Sequence, residues 1–337
     1  MEIDKVFGIF DSLVSPVATY GCAFWLPHII KKSGFETKQN LLKFWETLQC
    51  ETLNQRCGRM FLSVHKKTSR LAVLGELGRY PLFINCLAQC LNYKLSLQSR
   101  QTSTNLIGHV MTEMATMADT GQDCWLTRVR QMEGLLNLPR LSHFSKTSGK
   151  RLTTLLKSKF DRYWIDRVNE TKTNGLDNDD HNKLRVYKTF KASFTREPYI
   201  NLVRNRNQRS ALSRLRVSSH NLAIELGRQT CPVTPVELRV CTFCKPDHTT
   251  THQPCIDNES HFLTQCNLFT VKRNCLYGKM SSLVSGFKNL SDDQKFLTLL
   301  SPATPRAAKL ASKFIKEMFE VRKKIDTGQP VNEHHLG

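Results

Sequence analysis

The sequence predicts a mainly α-helical fold with one small cross-linked element near residue 240, and three observations carry that prediction. Apolar residues return at three- and four-residue spacing through most of the chain, and strand-like alternation is rare. Two cysteines two residues apart are followed by a His and a third Cys, in the pattern Cys241-x2-Cys244…His261-x4-Cys266. With 337 residues the chain has room for one large domain or several smaller ones.

The helical pattern begins between Val6 and Trp25, where Val6, Phe7, Phe10, Leu13, Val14 and Val17 form a stripe and Pro16 predicts a kink or junction. It resumes from Lys38 to Leu62 on Leu41, Leu42, Trp45, Leu48, Leu53 and Met60. A third stretch runs from Leu71 to Leu97, interrupted at Arg79-Tyr80-Pro81 because the residue before a proline is driven out of helical conformation. Ser99 to Asp123 is weaker in pattern. Trp125 to Leu136 and Arg151 to Asn169 read as helices, the second with Leu152, Leu155, Leu156, Phe160, Trp164 and Val168 opposite Lys157, Lys159, Arg162 and Arg167.

The polar run from Asn174 to His181 predicts a loop or linker. A short helix over Lys183 to Lys191 is expected next, then an amphipathic segment from Asn201 to Arg228 with Leu212, Leu215, Leu222 and Leu226 on one side. Pro232 and Pro235 end it. Ser291 followed by Asp292-Asp293 reads as the start of a helix with an acidic first turn. A final helix from Ala307 to Lys324 should bury Leu310, Phe314, Ile315, Met318 and Val321.

Charge narrows the partner. Forty-nine Lys and Arg against 29 Asp and Glu give a net charge of +20 and a pI near 9.6, which points to a polyanion: RNA or DNA first, an anionic membrane surface second. No window approaches the roughly 20 apolar residues of a membrane span, and the N-terminus lacks the marks of a signal peptide, so no membrane partner and an intracellular location are expected. Nucleus and cytoplasm remain equal choices. In that setting the twelve cysteines are expected to be reduced, and the cluster from Cys241 to Cys266 reads as metal ligation rather than disulfides.

Two thiolates from one tight turn, with His261 and Cys266 a little over a helical turn apart, can close a tetrahedron around one zinc ion and leave no position for a reactive water. Sixteen residues separate Cys244 from His261, and His248, His252 and Cys255 within them are alternative ligands. His261 is preferred because Phe262-Leu263 supply a small apolar core and Glu259-Ser260 can start the turn that carries it. The competing reading is four core residues without a metal. Arg204, Arg206, Arg209, Arg214 and Arg216 accumulate within thirteen residues free of acidic side chains, with His220 beyond them. They are expected to contact phosphate; the alternative is the solvated side of a packed helix. Trp25, Trp45, Trp125 and Trp164 are expected in the core, as are the thiols of Cys86 and Cys90. No phosphate-binding glycine loop, metalloprotease or nucleophile-elbow motif is present.

Several of these segments together resemble the C-terminal part of reverse transcriptases from non-LTR, LINE-like retrotransposons. Phe10-Asp-Ser-Leu-Val-Ser-Pro-Val-Ala-Thr-Tyr-Gly-Cys-Ala-Phe-Trp25 is similar to the segment that opens the thumb beyond the catalytic palm. His65-Lys-Lys-Thr-Ser-Arg-Leu-Ala-Val-Leu-Gly-Glu-Leu-Gly-Arg-Tyr-Pro81 resembles a stretch of the helical region that follows, and Ser210 to Arg228 the helix before the zinc knuckle. Cys241, Cys244, His261 and Cys266 fall on the four knuckle ligands.

The resemblance implies a thumb-like helical region over 1–98, a helical connector over 99–173, a polar linker over 174–182 and a basic helical segment over 183–230. A zinc knuckle over 231–275, a C-terminal helical region over 276–325 and a disordered tail over 326–337 complete it. A palm would carry paired aspartates between strands to hold two metal ions. Asp179-Asp180 lies in a polar run and Asp292-Asp293 at a helix start, so no catalysis is expected. The implied role is sequence-nonspecific binding of RNA or DNA through a basic surface and a zinc knuckle. Three alternatives stand beside it: a zinc-stapled module that meets an acidic protein, a polymerase assembled with a separate palm, and the product of a decayed element without function.

Overall fold

The computed structural model describes residues 2–32, 37–102, 104–138, 146–170, 183–244 and 255–329. About 70% of the chain is helical, and the described residues form 17 α-helices and no strand. The first ten are α1 (Ile3–Ile9), α2 (Ser15–Ala18), α3 (Cys22–Lys32), α4 (Lys38–Lys43), α5 (Gln49–Leu62), α6 (Arg70–Leu77), α7 (Leu82–Arg100), α8 (Leu106–Asp119), α9 (Trp125–Leu135) and α10 (Lys146–Asn169). The others are α11 (Tyr187–Phe190), α12 (Tyr199–Leu202), α13 (Arg206–Arg216), α14 (Ala223–Leu226), α15 (Thr270–Ser281), α16 (Asp292–Leu300) and α17 (Pro305–Asp326). The expected linker at 174–182 and the end of the tail at 330–337 lie outside the described residues.

The chain divides into two compact units, each built from separated stretches. One comprises Asp4–Arg56 and Tyr80–Arg167; the other comprises Met1–Ile3, Cys57–Arg79 and Val168–Gly337.

In the first unit α3 packs against α7 and α9, and α8 against the same two helices. Cys22, Leu26 and Ile30 repeat every four residues on the buried side of α3, and Phe83, Leu87, Leu91 and Leu95 do so along α7. Phe44 meets Phe83 edge-on at 5.7 Å, and Trp45 meets Phe160 at 6.3 Å. No side chain caps α7 at Pro81, so its first amides need an acceptor from elsewhere. The buried Glu51 carboxylate supplies it, accepting from the Phe83 amide at 2.8 Å and from Asn54 Nδ2 at 3.0 Å. Cys86, Cys90, Trp45 and Trp164 are fully buried as expected, whereas Trp25 and Trp125 are half-buried and donate to the carbonyls of Tyr20 and Ala23.

The N-terminal stripe differs from expectation. Phe7 and Phe10 are buried, but Leu13 and Val17 are 67% and 78% exposed, in line with Ile9, Tyr20 and Phe24 on an open apolar strip. Pro16 marks a junction rather than the main bend: it follows a wide turn over Phe10–Val14 inside a helical run that continues to Ala18, and the 68° bend falls between Ala18 and Cys22, at Gly21, whose φ of +66° suits glycine. Among the described residues no single helix is long and apolar enough to cross a membrane; α1 to α2 with α3 reach that length only as a pair bent by 68°.

In the second unit α17 packs against α12, α13, α15 and α16. Ala308, Ala311, Phe314, Ile315, Met318 and Val321 form its buried stripe. Thr304 caps it through the Ala307 amide, with Pro305 in the first turn. Ser291 and Gln294 form a reciprocal capping box at the start of α16, so Asp292-Asp293 does open a helix. The amphipathic segment expected from Asn201 to Arg228 is three short helices. The backbone leaves α13 at Ser218, with φ of +51°, and re-enters helix at α14. Leu212, Leu215 and Leu222 are buried, but Leu226 is 48% exposed.

Candidate metal centre and basic cleft

Cys241 and Cys244 sit at the two ends of a tight turn whose Cys244 amide donates to the Cys241 carbonyl. That turn follows an antiparallel bridge between Val240 and Ile256, reinforced by the Cys241 amide on the Cys255 carbonyl and the Asp257 amide on the Arg239 carbonyl, both at 2.9 Å. His261 opens a single wide turn over His261–Gln265, and the Cys266 amide donates back to the His261 carbonyl at 2.8 Å. This folding brings Cys241, Cys244, His261 and Cys266 together, with their ligand atoms within 4.8 Å of one another.

The geometry suits one metal ion. Thiolates bound to zinc at about 2.3 Å in a tetrahedron stand about 3.8 Å apart. Here Cys266 Sγ lies 3.9 Å from Cys241 Sγ and 3.8 Å from Cys244 Sγ, well beyond a disulfide, and all three cysteines are free. His261 is buried, yet neither of its ring nitrogens has a hydrogen-bond partner, an arrangement a coordinate bond resolves. The Asn267 amide donates to Cys244 Sγ at 3.3 Å, but burial outweighs that bond and pushes the Cys244 thiol up. The hydrogen bond that the Cys241 and Cys266 sulfurs share lowers the Cys241 pKa and raises that of Cys266. Cys255 lies outside the group and is exposed; His248 and His252 lie outside the described residues.

Side chains around the centre anchor it. Phe262 meets Phe269 edge-on at 5.6 Å and stacks on Phe319 of α17 at 4.7 Å. Asp257 receives both guanidinium nitrogens of Arg322, at 2.7 and 2.8 Å, and the Ala223 amide at the start of α14 at 2.8 Å. Burial lowers the Arg322 pKa, but the hydrogen bonds and charge of Asp257 more than reverse that. Glu259 is fully buried, and burial alone raises a carboxylate pKa. Hydrogen bonding and charge from His220, with the charge of Arg185, hold it at about 2 instead.

The arginine run is split by the structure. Arg204, Arg206 and Arg214 are exposed. Arg209, Arg216 and His220 are buried, which corrects the expectation that they contact phosphate. Arg216 is fully buried between Glu76 and Glu197, with further bonds to the Leu300 carbonyl and Ser301 and with the Phe190 ring 4.2 Å away. Arg209 donates to the Val203 carbonyl and lies over Phe61, its pKa lowered by burial. His220 Nε2 is 3.0 Å from Glu259 and its Nδ1 accepts from the Leu222 amide. The alternation has a helical cause: Arg209 and Arg216 are seven residues apart and share the inward side of α13.

The exposed arginines are not alone. Arg206 and Arg214 line a cleft of about 840 Å³ with Lys316 and Lys323 of α17, His65 and Phe319. Glu320 and Asp326 also border it, and Glu320 pairs with Lys316 at 3.2 Å. The sequence reading missed the lysines of α17, although Lys309, Lys313, Lys316 and Lys323 repeat at helical spacing opposite its apolar stripe. It missed Asp257 and Arg322 as well, since nothing local joins residues 65 positions apart.

Comparison of the chain with protein-family models, with curated proteins and with solved structures found no match.

Proposed function

We propose that this chain is a zinc-stapled helical protein that binds the phosphate backbone of RNA or DNA without reading sequence, related to the thumb-to-knuckle region of non-LTR reverse transcriptases. The observation that carries the reading is the cleft beside the metal centre, where the exposed Arg206 and Arg214 share one hollow with Lys316 and Lys323. Guanidinium groups grip phosphate through paired hydrogen bonds, and each neutralised phosphate releases counterions. The net charge of +20 draws a polyanion toward that hollow. Three thiolates and one imidazole at tetrahedral spacing favour zinc over magnesium or calcium, which take oxygen. Its place there is structural, and the role assigned to the chain is binding rather than catalysis.

A salt titration of RNA binding tests the reading. Affinity should fall steeply with salt, and replacing Arg206 and Arg214 by Ala should shallow the logarithmic slope by about 0.7 for each phosphate of a single strand that is no longer neutralised. A slope near zero, or one unaffected by the two substitutions, removes the proposal. Metal analysis should return one zinc per chain, and none in His261→Ala. Nucleotide incorporation by this chain alone in a primer-extension assay would overturn the non-catalytic role.

A second reading, a zinc-stapled module that meets an acidic protein, draws on the burial of Arg209, Arg216 and His220, which leaves the run less basic outside than its sequence suggests. Absence of nucleic-acid binding together with full zinc loading would favour it.

A further inference from the structure

We infer that the metal centre and the basic cleft form one coupled device, with Asp257 as the positioning residue between them. The inference rests on the nucleic-acid reading above and adds to it a means of control.

The segment that holds the metal ligands has little regular structure of its own, and its other anchors, Glu259 on Arg185 and His220 and Asp257 on Arg322, are contacts to residues outside it. Among the described residues it has one isolated bridge, a few turn hydrogen bonds and a small aromatic contact between Phe262 and Phe269. Small elements of this kind draw much of their folding free energy from the ion. Yet the same segment presents Asp257, whose carboxylate engages both Arg322 and the Ala223 amide, and Phe262, which stacks on Phe319. Arg322 and Phe319 both border the cleft. Lys316 and Lys323, each one turn from Phe319 on α17, are the cations assigned to phosphate.

Loss of the ion therefore reaches the cleft by a defined route. When the knuckle loosens, Arg322 loses the carboxylate that balances its buried charge, and a buried charge without its partner is strongly unfavourable. The guanidinium must find water, and the cleft is the nearest. Phe319 loses the nearer of the two rings it stacks on, keeping only His220. The wall that carries Lys316 and Lys323 then no longer holds one shape, and a strand that binds it must order it first. Asp257 is not one of the four metal ligands, and it acts on the wall that carries Lys316 and Lys323 through Arg322.

Coupling of this kind is reciprocal: zinc should tighten RNA binding by the same factor by which RNA tightens zinc binding. The full-length chain would be titrated with a fluorescein-labelled single-stranded oligouridylate, zinc-loaded and zinc-stripped, and its zinc affinity measured against a chromophoric chelator with and without that RNA. About tenfold is expected in both directions, within the usual range of coupling between sites. In Asp257→Asn both ligands should still bind, with the coupling factor falling toward one. Equal RNA affinity with and without zinc in the wild type, or undiminished coupling in Asp257→Asn, overturns the inference. If Asp257→Asn does not fold, Arg322→Lys, which keeps the charge and loses the paired hydrogen bonds, carries the same expectation for the coupling factor.

Failure of the wild type to bind RNA in either state would sink the nucleic-acid reading and leave the coupling to a second measurement. Hydrogen exchange at Phe319–Arg322 should slow when zinc binds the wild type and not when it binds Asp257→Asn. Exchange indifferent to zinc in the wild type overturns the coupling itself.

Discussion

Arg214 and Arg216 stand two positions apart on α13 and face opposite environments. Arg214 is exposed, with its Nε on the Ser63 carbonyl; Arg216 is fully buried among two carboxylates, and its pKa is raised because their charge outweighs the cost of burial. Arg216→Ala leaves the buried Glu76 without its cation and Glu197 with Lys191 alone, and should cost about 3–5 kcal/mol in urea denaturation. Arg214→Ala should stay within about 0.5 kcal/mol. Equal effects would show that the buried network is not what holds this unit. Gly78→Ala is a second test of the same region. At φ of +56° an added Cβ would lie 2.3 Å from the Arg196 amide nitrogen, so the substitution should destabilise by at least the strain of a poor backbone conformation, about 1–3 kcal/mol. An unchanged denaturation midpoint would refute it. The metal ligands could be read in the sequence because their spacing is local. The fate of the arginines could not, since the carboxylate that claims Arg216 comes from 140 residues earlier.

Helix ends with side-chain caps matched expectation best at the scale of elements. Ser291 with Asp292-Asp293 announced α16, and the break at Arg79-Tyr80-Pro81 separates α6 from α7. Ser291→Ala removes the hydroxyl that accepts from the Gln294 amide and should lower stability by about 1 kcal/mol, measured as a shift in the urea midpoint. No shift would mean that α16 frays in the folded protein. α8 was harder to see because Leu106 and Val110 are exposed, so its apolar residues do not mark a buried side. The continuous helix expected before the knuckle failed for a tertiary reason. Ser218 turns the chain so that its hydroxyl and the His220 ring reach Glu259, a partner 41 residues on from Ser218. Periodicity records which side of a helix is apolar and says nothing of a turn stabilised from a distance.

For the whole molecule, the two units predict a divided response to chelation. Stripping the metal should speed hydrogen exchange in α13 to α17, while α3, α7 and α9 keep their protection. Uniform loss across both sets would show that the chain unfolds as one cooperative body. Ionic strength should matter to the solution behaviour of the chain for a further reason. The strip formed by Ile9, Leu13, Val17, Tyr20 and Phe24 is between 60% and 87% exposed at each position, on a protein whose copies repel one another through a charge of +20. Salt shortens the range of that repulsion from about 10 Å at 0.1 M to about 3 Å at 1 M and leaves the attraction between apolar strips in place. The protein should therefore be colloidally stable in dilute buffer and scatter light as salt rises, and Leu13→Gln with Val17→Gln should move the onset of turbidity to higher salt. The concentrated salt that strips nucleic acid from a basic protein during purification is thus the condition under which this one is most prone to cloud.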